Sequence, residues 1–420
     1  MWGVALLVVV SLLGILPQGV LPFDLDRVVG LVVFVGACVV IVIKRRGRWR
    51  RSVLDAPAMV LLSAGMLAIA GRAIAGSEFL HESILQYVSL ATMALLALTI
   101  FQFFSTWRTV SWILRVFTVT ATMVALVSLM ALLSGTRMLL VSGEEVRLVS
   151  GWGAENRPGG LYEQPNQFAA IMALAMPTAL MFQALATTHL RRVFWTCAAG
   201  VIMAGLLISQ ARSAIVGVGL GALLLGLLLV RGRLLKSSSL VWGCVAVAFA
   251  TWLFIQTGLA SELSSRLSWS RQVEVAAIDP SQDRFQIWRS ALAVALSHPF
   301  GVAAEGGARI GSDLGVEARS AHNVFLSYLV AYGFLGAAAL LWLAWRQLAG
   351  LGLAALRAEG DAPRIIAAGL LAALVGFWVH NLAHSIIQWM AVWLYFACAA
   401  AVIRLSRVPK TAGDIVSAST

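Results

Sequence analysis

Charge is scarce in this sequence. Asp, Glu, Lys and Arg together make only 12% of 420 residues, and lysine occurs only at Lys44, Lys236 and Lys410. Ordinary soluble domains carry about 25% charge. With 60% hydrophobic residues and a mean hydropathy of +0.88, this chain has too little polar surface to clothe a water-soluble body. Cysteine is also sparse. Cys38, Cys197, Cys244 and Cys398 lie far apart within apolar runs, which gives neither a disulfide framework nor zinc spacing. They read as small core residues. The sequence lacks a phosphate-cradling glycine loop, a dinucleotide fingerprint and a paired-aspartate cluster for magnesium. We therefore expect no cofactor and no metal, with the driving energy carried by the substrate. The N-terminus lacks a basic region and a small-residue cleavage site, so the first apolar run is expected to stay as an anchor. There is no internal repeat, and only the tail after Pro409 looks frayed.

What is abundant is apolar length. A spanning helix needs roughly 20 mostly apolar residues. Twelve candidates fall at 2–17, 29–43, 57–75, 83–104, 112–134, 166–186, 193–210, 213–230, 238–258, 322–345, 364–386 and 388–404. With Met1 inside, 19 of the 31 Lys and Arg residues fall on the inner side, with only four of the 19 acids. The net charge is then +15 inside and −3 outside. That asymmetry predicts an all-α polytopic membrane protein with both termini cytoplasmic. The basic excess is a complement to anionic lipid, not a nucleic-acid footprint.

One membrane domain over 1–420 thus carries two outer insertions, at 135–165 and 259–321. The second is the only long hydrophilic segment. Its composition predicts two or three short helices on the membrane surface, one over 283–296 and ended by His298-Pro299-Phe300-Gly301. Gly306, Gly307 and Gly311 read as a flexible connection down to the tenth span.

The residues that could carry chemistry collect at this outer side. Arg212 lies in a very short turn between two spans. A charge at membrane depth is costly and suggests function, although a snorkelling anchor would look similar. Arg284 and Trp288 are four apart on one helical face, which predicts an arginine stacked on an indole, with Arg289 on another face. Arginine grips phosphate through a planar fork of donors. Arg319 precedes His322 and Asn323, which open a span. A helix N-terminus favours the neutral imidazole, a competent base, though a capping histidine is the plain alternative. Gln164 and Asn166 flank Pro165 at another helix start, where Asn166 could cap or bind sugar. His380, Asn381, His384 and Gln388 predict a polar stripe at i, i+4, i+8. Cavity lining or helix–helix hydrogen bonding is its simplest role, because the zincin glutamate is missing.

These segments taken in order resemble the bacterial O-antigen ligases and the wider group of O-antigen polymerases and O-linked oligosaccharyltransferases. The marks are Gly160-Leu161-Tyr162-Glu163-Gln164-Pro165-Asn166, Ser209-Gln210-Ala211-Arg212-Ser213, and Asp283-Arg284-Phe285-Gln286-Ile287-Trp288. His298-Pro299-Phe300-Gly301, His322-Asn323 and Tyr332-Gly333-Phe334-Leu335-Gly336 follow. The resemblance implies twelve spans, a GT-C-like glycosyltransferase fold, and a site facing the periplasm from the bacterial inner membrane. It implies transfer of a glycan from undecaprenyl diphosphate to lipid A–core, with Arg212 and Arg284 on the diphosphate and His322 as the essential histidine. A polymerase or a protein-directed oligosaccharyltransferase would use the same donor. A non-catalytic flippase fits less well, since transporter sites usually lie at the bilayer midplane.

Overall fold

The computed structural model describes residue 4 and residues 49–134, 138–141, 144–147, 149–152, 155–158, 162, 164–232, 284–316, 320–387 and 389–407. The expected spans at 2–17, 29–43 and 238–258 lie outside the described residues, as do Arg319 and Gln388. The long helices are α1 (Asp55–Ile74), α2 (Leu80–Phe101), α3 (Trp107–Leu133), α4 (Pro165–Leu185), α5 (His189–Ile208) and α6 (Arg212–Arg231). After α6 come α7 (Arg284–Ser297), a 3-10 turn (Ala303–Glu305), α8 (Gly306–Asp313), α9 (Val324–Arg357), α10 (Asp361–Asn381) and α11 (Met390–Leu405). Eight of the described helices, α1–α6, α9 and α10, are long and apolar enough to cross a membrane. The chain is a multi-pass membrane protein. At 1.5 Å per residue α11 is only about 24 Å long, but it is buried from Met390 to Ile403.

The bundle is centred on α4 and α10. α10 packs on α4, α6 and α9, and α4 packs on α3, α5 and α6. Outward faces are apolar, with Met66, Leu67, Met123, Met130, Leu223 and Leu227 exposed. That pattern suits hydrocarbon rather than water. The closest crossing joins α6 to α10. A Cβ on Gly217 would sit 2.4 Å from the Gly376 carbonyl oxygen, and one on Gly221 2.4 Å from that of Ala372. Gly217-x-x-x-Gly221 is the small-residue spacing that lets two apolar helices touch backbone to backbone.

α9 is broken near its start. Gly333 adopts φ 69°, ψ −170° and separates a short first segment, 324–332, from the long remainder. The segment after α7 closes the break: Phe334 N donates to Pro299 O at 3.1 Å, and Val302 N donates to Val330 O at 2.9 Å. A Cβ on Gly333 would lie 2.1 Å from Pro299 O. Two of the sequence marks, 298–301 and 332–336, are thus one structural joint. Around it Ile287, Ala291, Ala295, Val302, Ile310 and Val330 form a second small core that seats α7 and α8 on α9.

Several expectations need correction. The all-α class does not extend to the first insertion, where β1 (Met138–Val141) pairs antiparallel with β2 (Glu144–Arg147), and β3 (Val149–Trp152) with β4 (Glu155–Pro158). The glycines at 306–311 do not make a flexible connection. They form α8, because at Gly306 only a missing Cβ admits Val330, whose Cγ1 would be 2.6 Å away. α9 continues through Arg346 to Arg357, since an exposed arginine is a good helix former. α10 stops at Asn381, not 386. Asn381 Oδ1 accepts from Ile386 N at 2.8 Å, which caps the end and sends the chain through a non-helical run to α11. His380 and His384 therefore do not share one helix, and Gln388 lies outside the described residues.

Candidate functional site

The starts of α4, α6, α7 and α9 and the end of α10 meet at one end of the bundle. His380 is the knot. It is fully buried, and its Nε2 lies 3.0 Å from Asn166 O at the start of α4, its Nδ1 2.9 Å from Ser213 Oγ at the start of α6. A carbonyl only accepts, so Nε2–H donates; in the neutral ring Nδ1 then accepts the Ser213 hydroxyl proton. Both nitrogens are used by protein, which leaves neither for a cation. His380 does the helix–helix hydrogen bonding that its polarity suggested. The His384 ring lies beside it, tilted by 40° at 4.8 Å between ring centroids, and His322 meets His384 edge-on at 6.4 Å.

Arg212 and Arg284 are 72 residues apart in sequence; Arg212 is the first residue of α6, and Arg284 opens the described part of α7. They come close enough for their charges to oppose. Arg284 keeps an exposed surface, but partial desolvation, and then the charge of Arg212, push its guanidinium below its ordinary value. The Arg284 charge also reaches His380. A helix N-terminus already carries positive partial charge. Two opposed arginines, one of them at such a terminus, are a strongly anion-seeking arrangement.

His322 sits just before the α9 N-cap with φ 47°. Its N–H donates to Ser320 Oγ at 3.3 Å. The left-handed region is unusual for residues other than glycine, although histidine tolerates it better than most, and such strain gathers at functional sites. Gln210 (φ 54°) and Ala303 (φ 49°) share the conformation, and Gln210 lies in the turn before Arg212.

The other expected site residues are placed less directly. Asn323 is committed to structure: its Oδ1 accepts from Phe325 N and Leu326 N, and its Nδ2 donates to Leu382 O at 2.9 Å. Trp288 does not pack on Arg284. Its indole N–H donates to Ala321 O at 3.0 Å and its ring meets Phe285 edge-on, which fixes the chain leading into His322. Arg289 is exposed and lies about 140° around α7 from Arg284, so the two do not converge. Asn166 is not the cap of α4, because Pro165 takes the first helical position and Gln164, whose side chain is exposed, precedes it. Asn166 contributes its carbonyl to His380.

Sequence reasoning assigned no role to Ser213 or Gln210. Gln210 is buried, and neither atom of its amide has a hydrogen-bond partner among the described residues. The signal for Ser213 was its place one residue after Arg212; the signal for Gln210 needs the backbone angle. Tyr162, buried against Trp389 at 4.8 Å, pins the end of the first insertion to the same region.

The fold and the site define a polytopic helical membrane protein with a paired-arginine, histidine-rich centre at one end. Residues 197–341 match the family model described as O-Antigen ligase. The match contains Arg212, Arg284 and His322, while His380 and His384 lie beyond it. No curated protein matches the chain.

Proposed function

We infer that this protein is an O-antigen ligase that moves a polysaccharide from undecaprenyl diphosphate to lipid A–core, at the periplasmic face of a bacterial inner membrane. The observation that carries the reading is the pair Arg212, at the N-terminus of α6, and Arg284, near enough to oppose one another. A diphosphate relieves that repulsion and needs both forks. The anomeric carbon of such a donor already bears its leaving group. As the glycosidic bond breaks, negative charge grows on the diphosphate, and preorganised donors there lower the barrier. The step needs no metal. His322 is the proposed base that takes the proton from the acceptor hydroxyl as it attacks. Direct displacement inverts the anomeric centre. His380, with both nitrogens engaged, positions α4 and α6 and does not touch the reacting atoms.

The test is genetic and chemical. The gene is deleted in its host, and lipopolysaccharide is resolved on gels with wild type, His322→Ala, Arg212→Ala or Arg284→Ala returned. The expected result is bare core with accumulated undecaprenyl-linked polymer, and no rescue by any variant at normal membrane levels. Core capped by a single repeat unit would instead identify a polymerase using a second lipid-linked glycan as acceptor. An unchanged ladder would sink both readings and point to a protein acceptor or to transport.

A further inference from the structure

At the end of the bundle opposite the arginine–histidine centre lies a pocket to which the chemistry above gives no role. It opens between α3, α4 and α5 and has a volume of about 240 Å³. Phe182 on its wall follows Asn166 by 16 residues of α4, which at 1.5 Å per residue is about 24 Å from the contact with His380. Arg115 of α3 and Arg191 of α5 line the pocket together with Phe182, Phe194 and Trp195. Among the described residues its lining contains no acid. The two guanidinium groups lie near enough for their charges to oppose one another, and neither has an ion pair among the described residues.

Both arginines are held in place. The Arg115 guanidinium stands over the Phe182 ring, 5.5 Å from its centroid, and Phe182 stacks on Trp195 at 4.8 Å. Both rings are buried, so Arg115 rests on a fixed aromatic floor. Thr188 caps α5, its hydroxyl accepting from Arg191 N at 3.3 Å, which fixes the backbone that carries Arg191. Arg192 donates to Ala186 O at 3.3 Å and so ties α5 to the end of α4. No acid stands in the first turn of α5, where the positive helix end favours one. Two like charges held together oppose the packing that brings them close, and a bound anion reverses the sign of that interaction.

The surroundings say which anion. Leu190, Phe194 and Cys197 are exposed at i, i+4 and i+7, on one face of α5. In a multi-pass protein such a face meets acyl chains. A basic pocket floored by rings and continued by an apolar strip matches a molecule with a phosphate head and hydrocarbon tails; a free phosphate would use the arginines alone. A zwitterionic head would bring an ammonium group against the arginine pair, so the head is anionic. We propose that this pocket binds the phosphate of an anionic phospholipid through Arg115 and Arg191, with the lipid chains along Leu190, Phe194 and Cys197, and that the bound lipid fastens α3 to α5. With the arginine–histidine centre at the periplasmic face, this lipid belongs to the cytoplasmic leaflet, where basic pockets between helices hold anionic head groups. The binding itself requires only the helical bundle.

The experiment follows the thermal midpoint of the full-length protein in detergent micelles. Phosphatidylglycerol, phosphatidylcholine or inorganic phosphate is titrated in. Phosphatidylglycerol is expected to raise the wild-type midpoint saturably, and the other two to leave it nearly unchanged. Arg115→Gln and Arg191→Gln should each need about tenfold more phosphatidylglycerol for half the effect, the lower end of what a charge-assisted hydrogen bond is worth. A control pairing Arg231→Gln with Arg346→Gln removes as much charge from exposed positions elsewhere and should respond as wild type does. An equal rise with inorganic phosphate overturns the proposal in favour of a free-anion site, and an equal rise with phosphatidylcholine overturns it in favour of general lipid solvation. A control that loses the response as fully as the pocket variants overturns it in favour of surface charge alone. The wild-type titrations decide the matter even if a variant fails to accumulate. No glycan transfer enters the readout, so failure here leaves the transferase reading intact.

Discussion

At the residue scale, His322 separates backbone cost from side-chain function. Its φ of 47° is one that glycine adopts freely and alanine does not. His322→Gly should therefore fold as well as wild type, or gain up to about 1 kcal/mol by relieved strain, while transferring no glycan. His322→Ala should be inactive too, and somewhat less stable. Melting of the solubilised protein beside the transfer assay checks both. A glycine variant that melts lower would mark the imidazole as a structural group. The arginines make a sharper case. Arg284→Lys keeps the charge and loses the fork, so transfer should fall about 10- to 100-fold, the worth of one charge-assisted hydrogen bond. Wild-type rates in that variant would mean that only net charge matters there.

At the element scale, α6 is placed by glycine. Gly217 is one turn below Ser213, and its missing Cβ brings α6 onto α10, where Ser213 reaches His380. Gly217→Val should force the helices apart and break that contact. We expect a lower thermal midpoint and a loss of transfer larger than Ser213→Ala produces, measured on the same membrane preparations. Equal losses would show that the crossing matters only through the one hydrogen bond. Gly333 plays the matching part for α9. Its left-handed φ and the Pro299 carbonyl against its Cα leave no room for a side chain. Gly333→Ala should therefore fail to accumulate in the membrane; normal accumulation would refute the joint between 298–301 and 332–336.

At the scale of the whole molecule, the polar segment after α7 is clamped to the bundle by Glu305. Its carboxylate meets Arg72 Nη1 of α1 at 2.6 Å and Arg309 Nη2 of α8 at 2.7 Å. Burial alone would raise the Glu305 pKa, but hydrogen bonds and charge from Arg72 and Arg309 prevail and hold it below the ordinary value. A carboxylate depressed in the folded state stabilises above its unfolded pKa, and that stability goes as pH falls through the folded value. The clamp should thus be complete at neutral pH and weaken only below about 4.3. Glu305→Gln should cost about 1.5–3 kcal/mol at pH 7 and flatten the acid limb of a stability–pH curve. An acid limb identical to wild type would place the pH dependence elsewhere.

The sequence by itself determined the class of this protein. Apolar runs of spanning length cannot fold in water, so the multi-pass helical body was legible in composition and periodicity. The ordered motifs also pointed to Arg212, Arg284 and His322, because those residue types are rare in such a chain and cluster at helix starts. Tertiary structure alone decided the rest. That Arg212 and Arg284 oppose each other depends on which helices adjoin, a matter of glycine contacts 2.4 Å from a neighbouring backbone. That His380 ties two helices while Asn323 caps a third depends on where α10 and α9 end, which is set by side-chain hydrogen bonds and not by hydropathy. That the buried hydroxyls of Tyr328 and Tyr332 find no partner among the described residues was invisible for the same reason: a periodic pattern tells that a side chain turns inward, but only the packed neighbours tell whether its hydroxyl is matched.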